Sequence, residues 1–248
     1  MIAVLGHPHS GTTVVRELLQ GAAGGEIIHE PLHPIPNRSG ANVAFMGEAW
    51  KMARKYAGTG IFPKELMSVV DDLQSRDIVG YKEMFCIGAH VKNPEVKVLY
   101  LMRQPASMLA SWLRRGTGAL LKWYFEQLER YFPVQWQEAL APFGDRWLAT
   151  LAAAHRVRLH HDLSCISGRE NVKTVWFADL WANHETSWPS ILNFLELEPT
   201  RAFLDRLRRP MEPNQYMVVS PYRDLNMSKE LVDVVHYAWR DKPEILRY

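Results

Sequence analysis

The stretch MIAVLGHPHSGTTVVRELL, residues 1–19, decides the fold class. Its apolar run Ile2–Leu5 is typical of a buried parallel strand. Residues 6–13 form a loop with two glycines, and Val14–Leu19 continues as an amphipathic helix. In a strand–loop–helix unit of this kind, the backbone N–H groups of the loop and the N-terminus of the helix converge on an anion. The stretch therefore predicts an α/β protein with a phosphate site after its first strand.

The glycine spacing of this loop is that of a Walker A loop without its lysine. Gly6 and Gly11 match the two glycines of G-x-x-x-x-G-K-[ST], but Thr12 occupies the lysine position. In ATP-using enzymes that lysine contacts the β- and γ-phosphates. ATP chemistry is therefore disfavoured, whereas backbone and hydroxyl donors still suit a monophosphate or its mixed anhydride.

Residues 8–13, PHSGTT, resemble the Pro-[Lys/Arg]-Ser-Gly-Thr-Thr loop of sulfotransferases that use 3′-phosphoadenosine 5′-phosphosulfate (PAPS). In that family the loop cradles the 5′-phosphate, so the resemblance implies donor binding by His9, Ser10, Gly11, Thr12 and Thr13. His9 replaces the usual lysine or arginine and would share in neutralising the sulfuryl group. A histidine titrates near neutrality, so activity is expected to fall above pH ~7–8 if His9 must be cationic.

A second anion site is predicted after the run Val96–Met102, which reads as a central strand. Arg103 follows this strand directly, and Pro105 suits the first turn of a helix. Ser111 lies two helical turns after Arg103, so both side chains can reach one compact anion. The pair resembles the 3′-phosphate site of the PAPS-dependent family, which implies that Arg103 and Ser111 bind the 3′-phosphate.

Two further donor contacts are implied by the resemblance. Residues 172–180 resemble a family signature whose aromatic ring packs near the adenine, and here Phe177 takes the place of the family's tyrosine. A basic loop near the C-terminus closes over the 3′-phosphate in the cytosolic branch. Arg223 is the candidate for that charge, with Arg208 and Arg209 as alternatives.

Glu30 follows the short strand Ile27–Ile28 and is itself followed by Pro31. Open α/β sheets place their ligands at the carboxyl ends of their strands. In carbohydrate and tyrosine sulfotransferases, a glutamate at the end of the second strand, often before a proline, acts as the base. The resemblance implies this role for Glu30, and Glu83 and His33 remain alternatives.

Lys82 lies near the carboxyl end of a predicted third strand, residues 77–85. Several sulfotransferase branches carry a lysine at a similar point, where it helps to hold the sulfuryl group. The phenol and steroid branch continues as Lys-Thr-His, and its histidine is the base. Met84 occupies that histidine position here, which favours Glu30 as the base and the carbohydrate, tyrosine and bacterial branch.

The whole chain is globular in composition: 248 residues, 47% hydrophobic and 23% charged, with a net charge of +2. These values predict one globular domain over residues 1–248, and the resemblance implies a three-layer α/β sandwich around a central, mostly parallel sheet. The small net charge disfavours a nucleic-acid or polybasic membrane surface. No run approaches the ~20 apolar residues of a membrane span, and Met1 already belongs to the first strand, so a cytoplasmic protein without an anchor is expected.

Cysteine and histidine usage predicts no metal site. Cys86 and Cys165 are far apart and have no metal-ligand spacing, which indicates a reducing compartment. The histidines at 155, 160 and 161 lack an E-x-x-H partner. Helices are predicted over residues 45–56, 64–75, 146–162, 188–197 and 200–208, with a last helix that Ser228 caps. Trp147, Leu151, Ala154 and Leu159 are expected on one buried face.

The sequence thus predicts a sulfotransferase that moves a sulfuryl group from PAPS to a hydroxyl, less readily an amine, of a small-molecule or carbohydrate acceptor. In-line attack would release 3′-phosphoadenosine 5′-phosphate (PAP) without a metal. One alternative is a P-loop kinase of a small molecule. The other is a PAP-binding pseudoenzyme, marked by the departures at His9, Met84 and Ala178. The acceptor, a metabolite or natural product for an unanchored enzyme, and the oligomeric state stay open.

Overall fold

A computed structural model describes residues 1–30, 73, 75, 78–84, 90–115, 125–126, 128–129, 132–141, 147–182, 184–208 and 229–246. By its internal contacts the chain divides into two compact units. The first comprises Met1–Met102 and Cys165–Met217, and the second comprises Arg103–Ser164 and Val218–Tyr248. The division does not test the predicted single domain over residues 1–248, which stays a prediction.

The first unit is built on a parallel sheet of five strands in the order β2-β3-β1-β4-β5. The strands are β1 (Ile2–Gly6), β2 (Glu26–His29), β3 (Ile78–Glu83), β4 (Lys97–Met102) and β5 (Val172–Trp176). Every strand pair is parallel, with Val4 of β1 beside Lys82 of β3 and Leu99 of β4. The predicted α/β fold with a central parallel sheet is confirmed.

The helices, numbered in chain order, are α1 (Thr12–Gln20), α2 (Pro105–Arg115), α3 (Pro133–Leu140), α4 (Trp147–Ile166), α5 (Asp179–Ala182), α6 (His184–Leu195), α7 (Arg201–Arg208) and α8 (Lys229–Ala238). A 3₁₀ turn spans Pro243–Leu246. The helices predicted over residues 45–56 and 64–75 and the cap at Ser228 lie outside the described residues. Among the helices described, none is both long and apolar enough to cross a membrane.

One face of the sheet is covered by an apolar core that includes α1, α6 and α7. Ile2 and Val4 of β1 and Leu99 of β4 pack there against Val15 and Leu19 of α1. Gly80 allows β3 to lie close to β1, because a Cβ on Gly80 would stand 2.7 Å from the carbonyl oxygen of Ile2. Close pairing of β1 and β3 fixes the strand ends from which the loop after β1 and the side chain of Lys82 project.

The connections after β1 and after β4 run towards opposite edges of the sheet. After β1 the chain passes to β2 at one edge, and after β4 it passes to β5 at the other edge. The carboxyl ends of β1 and β4, where Gly6 is paired with Leu101, therefore form a topological switch point. Open α/β sheets bind their ligands at such a point, which agrees with a phosphate site in the loop after β1.

In the second unit, α2 packs against α8, and α4 is held to the segment after α8. Arg156 on α4 forms a bidentate ion pair with Asp241, at 2.7 and 2.8 Å, and the ring of His155 contacts Trp239. One expectation for this helix is wrong. Trp147 is 51% exposed and meets the ring of Phe125 edge-on, although Leu151, Ala154 and Leu159 are buried as predicted. Trp147 is the first residue of α4, so its side chain reaches past the buried stripe.

Helix α6 also begins earlier than predicted. The presence of Pro189 favours a start at Trp188, since proline suits a first turn, but the helix starts at His184 and carries Pro189 inside it. Pro189 is exposed. The carbonyl group left without its helical partner can therefore be solvated, which makes the internal proline tolerable.

Candidate active site

The loop between β1 and α1 is a tight turn with two residues in the left-handed region. His9 has φ 66° and Gly11 has φ 99°, and the N–H of Ser10 donates to the carbonyl oxygen of His7 at 3.0 Å. The first helical hydrogen bond of α1 follows at once, from Val15 N–H to Gly11 O at 3.2 Å. Strand, glycine loop and helix N-terminus therefore follow one another as the sequence predicts.

Both glycines of the loop are required by close approaches. A Cβ on Gly6 would stand 2.5 Å from Ser10 Oγ and 2.8 Å from the carbonyl oxygen of Leu101, and a Cβ on Gly11 would overlap the ring of Phe177. Phe177 is held in place by its N–H, which donates to Met102 O at 2.7 Å. Its ring is buried and lies directly against the loop.

The interior of the loop is suited to an anion. Ser10 is 1% exposed, and among the residues that the structure describes its Oγ has no hydrogen-bond partner. A buried hydroxyl without a partner costs about 1–3 kcal/mol, a cost that a bound phosphate oxygen would remove. The first turn of α1, which begins at Thr12, carries no acidic residue to neutralise the positive end of the helix dipole. Thr12 is buried and Thr13 half-buried beside it.

Glu30 and Lys82 form a buried ion pair at the carboxyl ends of β2 and β3. Lys82 Nζ donates to Glu30 Oε1, and the side chains are 2% and 8% exposed, respectively. The backbones are also joined, since Glu30 N–H donates to Lys82 O at 2.8 Å. Glu30 has φ 44°, a strained value for a residue with a Cβ. Two predicted catalytic residues are thus in direct contact.

His29 is a site residue that the sequence analysis does not single out. Its Nε2 lies 3.4 Å from Glu30 Oε1, and its side chain is 30% exposed. Burial, followed by the charge of Lys82, lowers the pKa of His29 below its usual value, so the ring is neutral at pH 7. Its position next to Glu30 at a strand end is the only sequence signal for it.

Glu83, the alternative base, lies on the other face of β3 from Lys82, because side chains alternate along a strand. It is fully buried, and its Oε1 accepts a hydrogen bond from the N–H of Met84 at 2.8 Å. Tyr81 lies on the same face as Glu83, and its hydroxyl is 2.8 Å from His90 Nδ1. Burial, followed by the charge of Glu83, raises the pKa of Tyr81 far above its usual range.

The predicted 3′-phosphate residues belong to the second unit. Arg103 is half-buried directly after β4, and Ser111 is buried two turns into α2. Gln104 caps this helix, with its Oε1 accepting from the N–H of Ser107 at 2.8 Å. The strand–helix placement is the predicted one. Arg223, Arg209 and His33 lie outside the described residues. Within the described ranges, no three His, Cys, Asp or Glu residues form a group that fits a metal ion.

Comparisons with known proteins find likeness in structure alone. No protein-family model matches the chain, and no curated protein matches it. Sulfotransferase STF9 from Mycobacterium avium superposes with a TM-score of 0.51 at 13% identity, over 98% of this chain and 76% of that one. The sulfotransferase domain from the curacin biosynthetic pathway has a TM-score of 0.44 at 14% identity, over 96% of both chains. Mouse sulfotransferase SULT7A1, complexed with PAP, has a TM-score of 0.40 at 12% identity, over 98% of this chain and 82% of that one.

Of these three, STF9 alone exceeds a TM-score of 0.5, and it does so over nearly the whole of this chain. A structural likeness at 13% sequence identity shows a shared fold and does not show a shared activity. The chain therefore has the fold of the sulfotransferases.

Proposed function

We propose that the protein is a PAPS-dependent sulfotransferase that transfers a sulfuryl group to a hydroxyl, less readily an amine, of a small-molecule or carbohydrate acceptor and releases PAP. The observation that carries this proposal is the loop after β1. Among the described residues, its buried Ser10 hydroxyl has no hydrogen-bond partner, and the first turn of the helix that follows carries no acidic residue. With Thr12 in the lysine position, the loop suits a 5′-phosphate better than the β- and γ-phosphates of ATP.

The residues of the first unit have separate roles in the proposed reaction. His9, Ser10, Gly11, Thr12 and Thr13 hold the 5′-phosphate through backbone and hydroxyl donors. Glu30 takes the proton of the acceptor, whose oxygen then attacks sulfur in line, and PAP departs with the electron pair of the broken S–O bond. Lys82 stabilises charge on the moving sulfuryl group, with His9 as a second donor. Most of the rate enhancement comes from positioning and charge stabilisation.

The remaining donor contacts are proposed from the sequence pattern. Arg103 and Ser111 bind the 3′-phosphate, and Phe177, already packed against Gly11, lies beside the adenine. Arg223 closes over the 3′-phosphate. Glu30 is preferred to Glu83 as the base because its carboxylate lies beside Lys82, whereas Glu83 lies on the other face of β3.

The proposal is tested by sulfuryl transfer from PAPS labelled with ³⁵S to a panel of phenols, alcohols, amines and sugars. We expect a labelled product with at least one class of acceptor, and loss of that product in Glu30→Gln. Binding of PAP without transfer to any acceptor would favour the pseudoenzyme. Transfer from γ-labelled ATP with Mg²⁺ would favour the kinase.

A further inference from the structure

The ion pair between Lys82 and Glu30 ties together the two groups that the reaction needs apart. Both side chains are almost completely buried, and Lys82 Nζ donates directly to Glu30 Oε1. The ammonium occupies the carboxylate oxygen that would otherwise receive the proton of the acceptor. Glu30 is therefore blocked as a base, and Lys82 is occupied, for as long as the pair lasts.

Lys82 can leave this pair only for another anion, because a buried ammonium without a counter-charge is strongly disfavoured. The register places Lys82 beside Val4 of β1, and Val4 belongs to the core that α1 covers. The side chain of Lys82 thus lies on the face of the sheet where the glycine loop leads into α1. The sulfuryl group carried by a 5′-phosphate in that loop is the natural second partner for Lys82.

We propose that the Lys82–Glu30 ion pair is a latch, meaning that it keeps Glu30 from acting as the base. The latch opens when the sulfuryl group of PAPS binds Lys82 and the ion pair breaks. The inference rests on the proposed function and adds an order to it: donor first, deprotonation of the acceptor second. PAP lacks the sulfuryl group and leaves the latch closed. The base is therefore competent only while a transferable group is bound.

His29 stays beside the Glu30 carboxylate when Lys82 leaves it. Its Nε2 lies 3.4 Å from the same oxygen that Lys82 contacts. The strained backbone of Glu30, fixed by its hydrogen bond to Lys82 O, keeps the carboxylate at the end of β2 when the ammonium moves away.

The Lys82–Glu30 pair competes with the binding of the sulfuryl group, because Lys82 contacts one or the other. Part of the affinity of Lys82 for the sulfuryl group is spent on breaking the pair with Glu30. Weakening the pair should therefore strengthen PAPS binding without changing PAP binding. The measurable quantity is the sulfuryl preference, defined as the Kd of PAP divided by the Kd of PAPS, determined by calorimetry without an acceptor.

We expect Glu30→Gln to raise the sulfuryl preference about tenfold, and Lys82→Met to abolish the preference. In the double variant the effect of Glu30→Gln should vanish, because no lysine remains to be released. Glu30→Asp keeps the negative charge and weakens the contact, so it should give a smaller rise in the sulfuryl preference. If Glu30 merely repelled the sulfuryl group, Glu30→Asp would give no rise.

Glu17→Gln is the matched control, since it removes a carboxylate that pairs with Arg206 instead, and it should leave the preference unchanged.

The affinity for PAP reports whether each variant is folded, and Glu30→Asp carries the same test should Glu30→Gln fail to fold. Equal changes in PAP and PAPS binding, or a gain in Glu30→Gln that persists in the Lys82→Met background, would overturn the latch. Absence of PAP and PAPS binding in the unmodified protein would instead overturn the proposed function.

Discussion

Glu30 is the residue on which the proposed chemistry depends most directly. Glu30→Gln preserves the shape of the side chain and removes the proton acceptor, so kcat for transfer should fall by about 10²–10⁴. The affinity for PAP should not change, because Glu30 lies outside the glycine loop. Initial rates with saturating PAPS measure the first quantity and calorimetry measures the second. Undiminished turnover, with a loss in Glu83→Gln instead, would move the base to Glu83.

His29 makes the stability of the fold depend on pH. Its pKa in the folded protein lies below the ordinary value of 6.5, because burial and Lys82 disfavour the imidazolium. The ring is neutral in both states above pH 6.5. As the pH falls from 6.5 towards the lowered pKa, the unfolded chain takes up the proton first and stability is lost.

The free energy of unfolding in urea should therefore decline less steeply below pH 6.5 in His29→Gln than in the unmodified protein. His161, whose pKa is also lowered by burial, leaves part of the decline in place. His184→Gln, at an exposed position, is the control and should keep the full decline. An identical decline in His29→Gln would show that His29 does not respond to its burial.

At the scale of single residues, the sequence predicts which strand ends carry chemistry but not which side chains meet. Glu30 and Lys82 follow apolar runs, so their places at strand ends are predictable. Their contact depends on the pairing of β2 with β3 and on the left-handed backbone of Glu30. Both arise from packing between distant segments, which no local pattern encodes. His29 is missed for the same reason.

The loop after β1 is tested at the scale of one element by Gly11→Ala. Alanine at φ 99° is strained by about 1–2 kcal/mol, and its Cβ would also overlap the ring of Phe177, which adds about 1–3 kcal/mol of overpacking. We expect the free energy of unfolding in urea to fall by roughly 2–5 kcal/mol and PAP binding to be lost.

Gly168→Ala separates these two effects. Gly168 has φ 70°, and a Cβ there meets nothing within 4 Å, so only the backbone strain applies. We expect a loss of about 1–2 kcal/mol with PAP binding intact. Equal losses in the two variants would mean that the contact between Gly11 and Phe177 contributes nothing to the loop.

Secondary structure elements were largely predictable where local pattern decides them. The first four strands lie within one or two residues of the apolar runs that predict them, because buried parallel strands need such runs. The strand order β2-β3-β1-β4-β5 was not predictable, since it depends on crossovers between distant segments. The start of α6 was mistaken because an exposed proline is tolerated inside a helix when its free carbonyl partner can be solvated.

Donor binding should also be visible in the stability of the whole molecule. A ligand that binds the folded state alone at 100 times its Kd stabilises it by about 2.7 kcal/mol. In a chain of this length each kcal/mol raises Tm by roughly 2–4 °C. PAP should therefore raise Tm by about 5–10 °C in scanning fluorimetry, with or without EDTA. A rise that EDTA removes would indicate a metal-dependent nucleotide instead.

The fold of the whole molecule is predictable because its two clearest motifs follow strands at a topological switch point. The glycine loop ends β1, Arg103 follows β4, and these strands are neighbours in the sheet. The acceptor is not predictable from the same evidence. Acceptor recognition depends on how side chains from separate segments shape one pocket, and no motif in the sequence names a substrate.

The central claim is that the protein binds a nucleotide with separate 5′- and 3′-phosphates and needs no metal. The most direct test is calorimetric titration with PAP in the presence of EDTA, compared with ATP and Mg²⁺, for the unmodified protein and Arg103→Ala. We predict binding of PAP that does not depend on metal and that weakens at least tenfold in Arg103→Ala, as for loss of one charged hydrogen-bond partner, about 1.5–3 kcal/mol. A preference for ATP with Mg²⁺, or PAP binding that Arg103→Ala leaves unchanged, would contradict it.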